Sequence, residues 1–151
     1  MTKLALLLLP ALAACSTATT TAAPPAPPPA MAASPGTFPA GTYTATLVDA
    51  DVPASAPADM RTGIVGPWEV TFDGNGHLTA RFNGNVMVEG PYTINGSQIN
   101  FGGDDTGEYA CHSAATYNWH AAGNELHFQK VNDSCDGRAM AITSHAWTKR
   151  P

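Results

Sequence analysis

From Phe38 onward, apolar and polar residues alternate in short runs that are separated by turn-forming residues. Alternation of this kind predicts half-buried β-strands, because successive side chains of an extended strand point to opposite faces. The intervening Gly, Asn and Asp residues favour tight hairpin turns, since they tolerate a positive φ. The expected inward faces are Tyr43, Ala45 and Leu47; Trp68, Val70 and Phe72; Leu78, Ala80 and Phe82; Val86, Val88, Tyr92 and Ile94; Ile99 and Phe101; Tyr117 and Trp119; Leu126 and Phe128; and Met140 and Ile142, in a last strand that runs towards Trp147.

The pattern predicts an all-β domain over residues 38–151, with about eight strands and no helix. Consecutive hairpins favour an up-and-down antiparallel order, and closure into a barrel removes the exposed strand edges. Gly90-Pro91 is expected to mark a bulge or an edge. The long connection over residues 49–63 is expected to form a lid or a short helical turn over one end of the barrel.

Residues 1–14 have the form of a signal peptide, with a positive start, an apolar run and two small residues before the cut site. The apolar run is shorter than the about 20 residues that a transmembrane helix needs. Its end, Leu12-Ala13-Ala14-Cys15, resembles the bacterial lipobox. That resemblance implies that Cys15 receives a lipid and becomes the new N-terminus. Ser16 then implies an outer-membrane location, facing the periplasm or the cell surface. The alternative is an ordinary secreted protein with a chance cysteine.

Residues 15–37 consist of this cysteine and a segment, made mostly of Ser, Thr, Ala and Pro, that joins it to the domain. Its proline-rich stretch, residues 24–29, favours extended polyproline geometry. The segment holds too few large apolar side chains to form a core. We expect a semi-stiff spacer that lifts the domain off the membrane. The alternative is a proline-rich docking peptide for a protein partner.

Gly66-Pro67-Trp68, ahead of an alternating strand, resembles the Gly-x-Trp signature of lipocalins and related calycin barrels. The resemblance covers residues 41–149 and implies a lipocalin-like eight-stranded barrel. It also implies that an arginine near the last strand, here Arg138, packs across Trp68, a contact worth about 0.5–2 kcal/mol. Further stretches that resemble small lipocalin-like domains of exported bacterial proteins are residues 90–92, 109–111, 117–119 and 133–138.

With Cys15 assigned to the lipid, Cys111 and Cys135 remain as a pair. In an exported domain such a pair predicts a disulfide. It would close a loop of about 25 residues and stabilise the domain by roughly 3 kcal/mol. The alternative is a metal site that adds His112, but adjacent residues on a strand face opposite ways. We therefore expect a disulfide and no metal ligand here.

Two other clusters have simpler explanations than metal binding. His120 and His127 flank one turn and could meet across a hairpin, but two histidines make at best a weak metal site. We expect both of them at solvent-facing strand positions. Asp104, Asp105 and Glu108 lie among glycines and could bind calcium. They lack the twelve-residue calcium-loop pattern, so turn formation is the favoured interpretation.

The charge balance and the motifs limit the function classes. The chain has 7 basic and 12 acidic residues and no basic run, which argues against nucleic-acid binding. It has no Gly-x-Ser-x-Gly motif and no evident acid–base pair, so we expect no enzyme, no catalytic residues and no cofactor. The favoured function is a membrane-anchored module whose barrel binds a small apolar ligand. The alternatives are an inhibitor or protein-interaction module, acting through residues 102–108 or 133–138, and a structural envelope lipoprotein.

Overall fold

The computed structural model describes residues 36–151, so the predicted signal peptide, Cys15 and all but the end of the tether lie outside the described residues. Eight strands form the framework of this part of the chain. They are β1 (Gly41–Leu47), β2 (Gly66–Phe72), β3 (His77–Phe82), β4 (Asn85–Asn95), β5 (Gln98–Phe101), β6 (Ala115–Ala122), β7 (Glu125–Asn132) and β8 (Trp147–Lys149). The helices are a 3-10 turn (Asp49–Asp51), α1 (Ala58–Ile64) and α2 (Asp136–Thr143).

The strands form a closed barrel in sequence order. Each strand pairs antiparallel with the next, and β8 also pairs with β1, so the sheet has no free edge. This confirms the predicted up-and-down barrel. Turn chemistry supports the hairpins, as the β2–β3 turn shows: the Asp73 carboxylate accepts the backbone N–H groups of Asn75 and His77 at 2.7 and 3.0 Å.

The inward faces follow the predicted alternation in most strands, and the largest side chains with almost no exposed surface are Trp119, Tyr43, Tyr117, Leu47, Ile99 and Leu126. Strand β4 is the exception, because Val86 pairs with Arg81 while Val88 pairs with Ala80. One extra residue therefore lies between them, and Val86 is turned outward with 41% of its surface exposed. The bulge is here. The prediction of a bulge or an edge at Gly90-Pro91 is wrong, because both residues pair with β3 in regular register in a closed barrel.

Two stretches of the chain outside the eight strands are helical. The long β1–β2 connection forms the 3-10 turn and α1, which agrees with the expected short helical turn in this connection. Met140 and Ile142 belong to α2, so the prediction that they begin the last strand is wrong. The sequence there reads Ala-Met-Ala-Ile, which is apolar at every position and carries no period, and Ala and Met favour helix.

The two ends of the barrel differ. Because the strands alternate in direction, the β1–β2, β3–β4, β5–β6 and β7–β8 connections meet at one end, and the others meet at the opposite end. The first group includes the three long connections, and we call this the open end. The second group consists of short turns together with the chain segment that enters β1, and we call this the closed end.

Candidate functional site

A cavity of about 660 Å³ lies inside the barrel and extends to the open end. Ligand pockets in proteins span roughly 300–1,000 Å³, so the space is sufficient for a small molecule. Strand residues form most of its wall, and they are the inward positions that alternation predicts. The strand part of the wall includes Trp68, Val70, Phe72, Leu78, Phe101 and Phe128.

Aromatic side chains fill the barrel at the closed end. Phe38, just before β1, is 8% exposed and its ring packs against those of Phe72, Trp119 and Tyr92, at centroid distances of 5.1, 5.3 and 5.8 Å. Phe72 also lines the cavity, so this cluster forms the cavity floor. Access to the cavity is therefore from the open end.

The three long connections form the rim of the cavity. Helix α1 contributes Met60 and Ile64, the β5–β6 loop contributes Tyr109, and α2 contributes Ala141 and Ile142. Exposed residues of α1 and α2 also belong to the lining, so the cavity reaches the protein surface between these helices. The rim is apolar except for a small number of charged side chains.

A disulfide joins two parts of this rim. Cys111, in the β5–β6 loop, is bonded to Cys135, directly before α2, with their Cα atoms 6.0 Å apart. This confirms the predicted disulfide. Both cysteines line the cavity, so the bond holds the β5–β6 loop and the start of α2 together at the opening.

Arg138 lies at the centre of a buried polar network beside the disulfide. Its guanidinium binds Asp133 through two hydrogen bonds, from Nε to Oδ2 at 2.7 Å and from Nη2 to Oδ1 at 2.8 Å. Its Nη1 donates to Asp105 Oδ2 at 3.1 Å, and Nη2 donates to the Ser113 carbonyl at 2.8 Å. The Tyr117 hydroxyl donates to Asp133 as well. Paired donors in this fork geometry fix the position of a guanidinium.

The two carboxylates around Arg138 have pKa values that move in opposite directions. Burial raises the pKa of Asp105, and the nearby charges of Arg138 and His112 offset this only in part. Burial also acts to raise the pKa of Asp133, but hydrogen bonds from Arg138, Tyr117 and the Cys135 N–H outweigh it and the pKa lies below its usual value. Asp133 is thus the main anionic partner of the guanidinium.

Tyr117 also supports Asp133 as the main anionic partner of the Arg138 guanidinium. Burial raises the pKa of its hydroxyl well above the usual range, and the hydrogen bond to Asp133 adds to the shift. The hydroxyl therefore stays protonated and can only donate to Asp133, so it holds the carboxylate in place without competing for its charge.

The signature residues lie at the open end, but one expected contact is absent. Trp68 donates its indole N–H to the Ile64 carbonyl at 2.8 Å, and its ring packs against Phe82 at 5.0 Å. The Arg138 guanidinium lies 5.9 Å from the Phe101 ring instead, so the expected packing of Arg138 across Trp68 is wrong. The bidentate pairing with Asp133 positions the guanidinium on the α2 side of the cavity.

The backbone at position 66 requires a glycine. Its φ is +145°, and a Cβ atom there would lie 2.8 Å from the Phe82 ring. Gly90 has a similar role under the β5–β6 loop, since a Cβ atom on it would lie 2.4 Å from Asp105 Oδ1. These two glycines allow side chains to approach the backbone at the open end.

The two proposed protein-contact segments pack against the barrel. Thr106 of the β5–β6 loop exchanges two backbone hydrogen bonds, of 2.9 and 2.7 Å, with Glu89 of β4. Asp105 turns inward to Arg138 and is 4% exposed, while Asp104 and Glu108 face solvent, so the three carboxylates do not converge. Residues 133–138 are held by the network around Arg138.

His120 and His127 lie opposite each other in the β6–β7 pair, with ring centroids 6.0 Å apart. They therefore meet across the hairpin, as the sequence allows. Among residues 36–151 there is no group of three or more His, Cys, Asp or Glu side chains suited to hold a metal ion.

The sequence did not identify the network around Arg138 as a unit. Arg138 and Asp133 lie five residues apart in a stretch that the lipocalin resemblance included. Asp105 and Tyr117 carried no signal for pairing with them, because Asp105 is 33 residues from Arg138 in the chain. Only closure of the barrel brings the β5–β6 loop next to α2.

The chain matches no protein-family model, no curated protein and no solved structure. Within the described part of the chain, no helix has the length and apolar character needed to cross a membrane.

Proposed function

We propose that the domain is a binding module that holds one small, mainly apolar molecule inside the barrel. The cavity of about 660 Å³ is the observation that carries this proposal. A barrel of eight strands can be filled by its own side chains or can enclose a ligand, and this one leaves ligand-sized space among apolar walls. The resemblance of Gly66-Pro67-Trp68 to lipocalins supports the same function.

The proposed setting is the outer membrane of a bacterium, with the chain anchored through a lipid on Cys15 and facing the periplasm or the cell surface. The order of the chain fits this arrangement. Phe38 lies at the closed end, so a tether that precedes it reaches the barrel on the side away from the cavity opening. The open end is then left accessible to a ligand.

Filling the cavity should abolish binding. Ala80 lines the cavity on β3, and Ala80→Phe places a ring in the space that a ligand would occupy. We expect the variant to bind N-phenylnaphthylamine, an uncharged fluorescent probe, at least about tenfold more weakly than the parent, which corresponds to about 1.4 kcal/mol. Fluorescence titration of the chain that begins at Ser16 measures this, since it carries no acyl chain of its own.

Thr79→Phe is the matched control, because Thr79 is the adjacent strand residue and its hydroxyl donates outward to Glu89. It should bind the probe as the parent does. If neither the parent nor the control binds the probe, or if Ala80→Phe binds equally well, the proposed cavity function is wrong. An inhibitor, another protein-interaction module or a structural lipoprotein would then be favoured.

The lipid anchor has a separate test. Cells that express the full chain are grown with an alkyne-tagged fatty acid, and the tag is detected on the purified protein. The parent should carry the tag and Cys15→Ala should not, because the thiol that receives the lipid is gone. Ser16→Ala, one residue further, should remain tagged. A tag on Cys15→Ala, or none on the parent, would exclude Cys15 as the lipidation site.

A further inference from the structure

The charges that line the cavity are mostly of one sign. Its charged lining residues are Asp59 on α1, Asp105 in the β5–β6 loop, and Asp136 and Arg138 on α2. Three carboxylates therefore accompany one guanidinium. Asp59 and Asp136 are exposed and lie on the two helices that border the opening. We call these two residues the mouth carboxylates.

Arg138 does not balance the mouth carboxylates. Its side chain is 11% exposed, and its guanidinium already binds Asp133 through two hydrogen bonds and Asp105 through a third. An anionic ligand would have to compete with these two carboxylates for the guanidinium. Removing one partner of a buried ion pair is costly, so Arg138 is a poor site for a ligand carboxylate.

The apolar part of the lining is rich in aromatic rings. Trp68, Phe72, Phe101, Tyr109, Phe128 and Trp147 all line the cavity. The face of an aromatic ring attracts cations and repels anions, because its π-electrons give the face a negative potential. Rings that present their faces to the cavity therefore act in the same direction as the carboxylates.

We propose that the cavity selects apolar molecules that carry an amine or quaternary ammonium group, with the apolar body among the aromatic rings and the cation at the mouth carboxylates Asp59 and Asp136. This inference rests on the proposed binding function and specifies the ligand class. Fatty acids and other apolar anions are the class that the cavity disfavours, since their carboxylate would face like charges at the opening.

The mouth carboxylates also have a structural role that the test must separate from binding. Each lies in the first turn of its helix, where a negative charge stabilises the helix dipole. A loss of stability in a variant would therefore say nothing about ligands. The informative quantity is the ratio of affinities for two probes of opposite charge, measured on the same variant.

The probes are decylamine, decanol and decanoate, and each is used to displace N-phenylnaphthylamine from the chain that begins at Ser16. The two ions are kept below their micelle concentrations and decanol below its solubility limit. At low salt and about pH 8, where a typical histidine is neutral, we expect decylamine to bind at least about tenfold more tightly than decanoate. Decanol should lie between them. High salt should reduce the ratio, because screening weakens the attraction of exposed charges.

The double variant Asp59→Asn/Asp136→Asn should lose most of the preference for decylamine while it still binds decanol. The matched control is Asp104→Asn/Glu108→Gln, which removes two exposed carboxylates from the neighbouring loop that do not line the cavity. The control should keep the preference. Equal binding of the three probes, tighter binding of decanoate, or an unchanged ratio in the mouth variant would overturn the inference while the cavity function stands. If N-phenylnaphthylamine and all three decyl probes fail to bind, the cavity function itself is overturned.

Discussion

Replacing Asp133 with asparagine should lower the free energy of unfolding by about 3–5 kcal/mol, the cost of removing one partner from a buried ion pair. The Asp133 side chain has no exposed surface, and it accepts hydrogen bonds from Arg138, Tyr117 and the Cys135 N–H. An amide can replace only part of these interactions, since it carries no charge and its NH₂ group would face the donors of Arg138. Urea denaturation, followed by tryptophan fluorescence, measures the change.

The pH dependence of this effect has a definite sign. The pKa of Asp133 is lower in the folded protein than its usual value of about 3.9. Its contribution to stability is therefore present above pH of about 3.9, and it is lost as the pH falls through the folded-state pKa. The difference in stability between the parent and Asp133→Asn should narrow over the same range.

Asp104→Asn is the control for Asp133→Asn, because Asp104 is exposed and its loss should change the stability by no more than about 0.5 kcal/mol. A loss below about 1 kcal/mol for Asp133→Asn, or a difference that widens on acidification, would show that the pairing of Arg138 with Asp133 does not hold this end of the barrel together.

Phe38→Ala should have an effect of similar size, about 3–5 kcal/mol, which is typical when a buried phenylalanine is truncated. The Phe38 ring closes the barrel at the end opposite the cavity opening and contacts Phe72, Tyr92 and Trp119. Truncation leaves a void that this aromatic cluster can refill only in part. Chemical denaturation measures the loss.

Thr37→Ala provides the comparison for Phe38→Ala, since Thr37 precedes Phe38 and is exposed. It should unfold like the parent. If Phe38→Ala is destabilised by less than about 1 kcal/mol, Phe38 is not part of the core and the barrel is closed at this end by the strand residues alone.

Local patterning was sufficient for most of the barrel. Strand faces with strict alternation, such as Tyr43 to Leu47 and Trp68 to Phe72, were predictable because only one arrangement of an extended strand buries all their apolar residues. Strand β4 was predicted less well. Its apolar positions keep a period of two on both sides of residue 87. Nothing local reveals that pairing with β3 makes residue 87 an extra residue in the strand.

The site was predictable only in part. The Cys111–Cys135 disulfide was predicted from the number of cysteines together with the expectation that the domain is exported. The pairing of Arg138 with Asp105 and its contact with the Phe101 ring do not follow from the sequence. They join α2 to the β5–β6 loop and to the end of β5, which are distant in the chain. Residues 139–142 had no apolar period, so their helix depended on how the segment packs over the opening.

The sequence by itself determined the fold class, the order of the strands, the aromatic interior and the disulfide. These depend on interactions between residues that are close in the chain, or on an inventory of residue types. The tertiary structure alone decided which end of the barrel is filled, that about 660 Å³ remain open at the other, and which charges line that space. The physical reason is that a cavity is a difference between the space the strands enclose and the volume of the side chains that enter it. That difference depends on closure of the barrel and on the packing of α1 and α2 across its end.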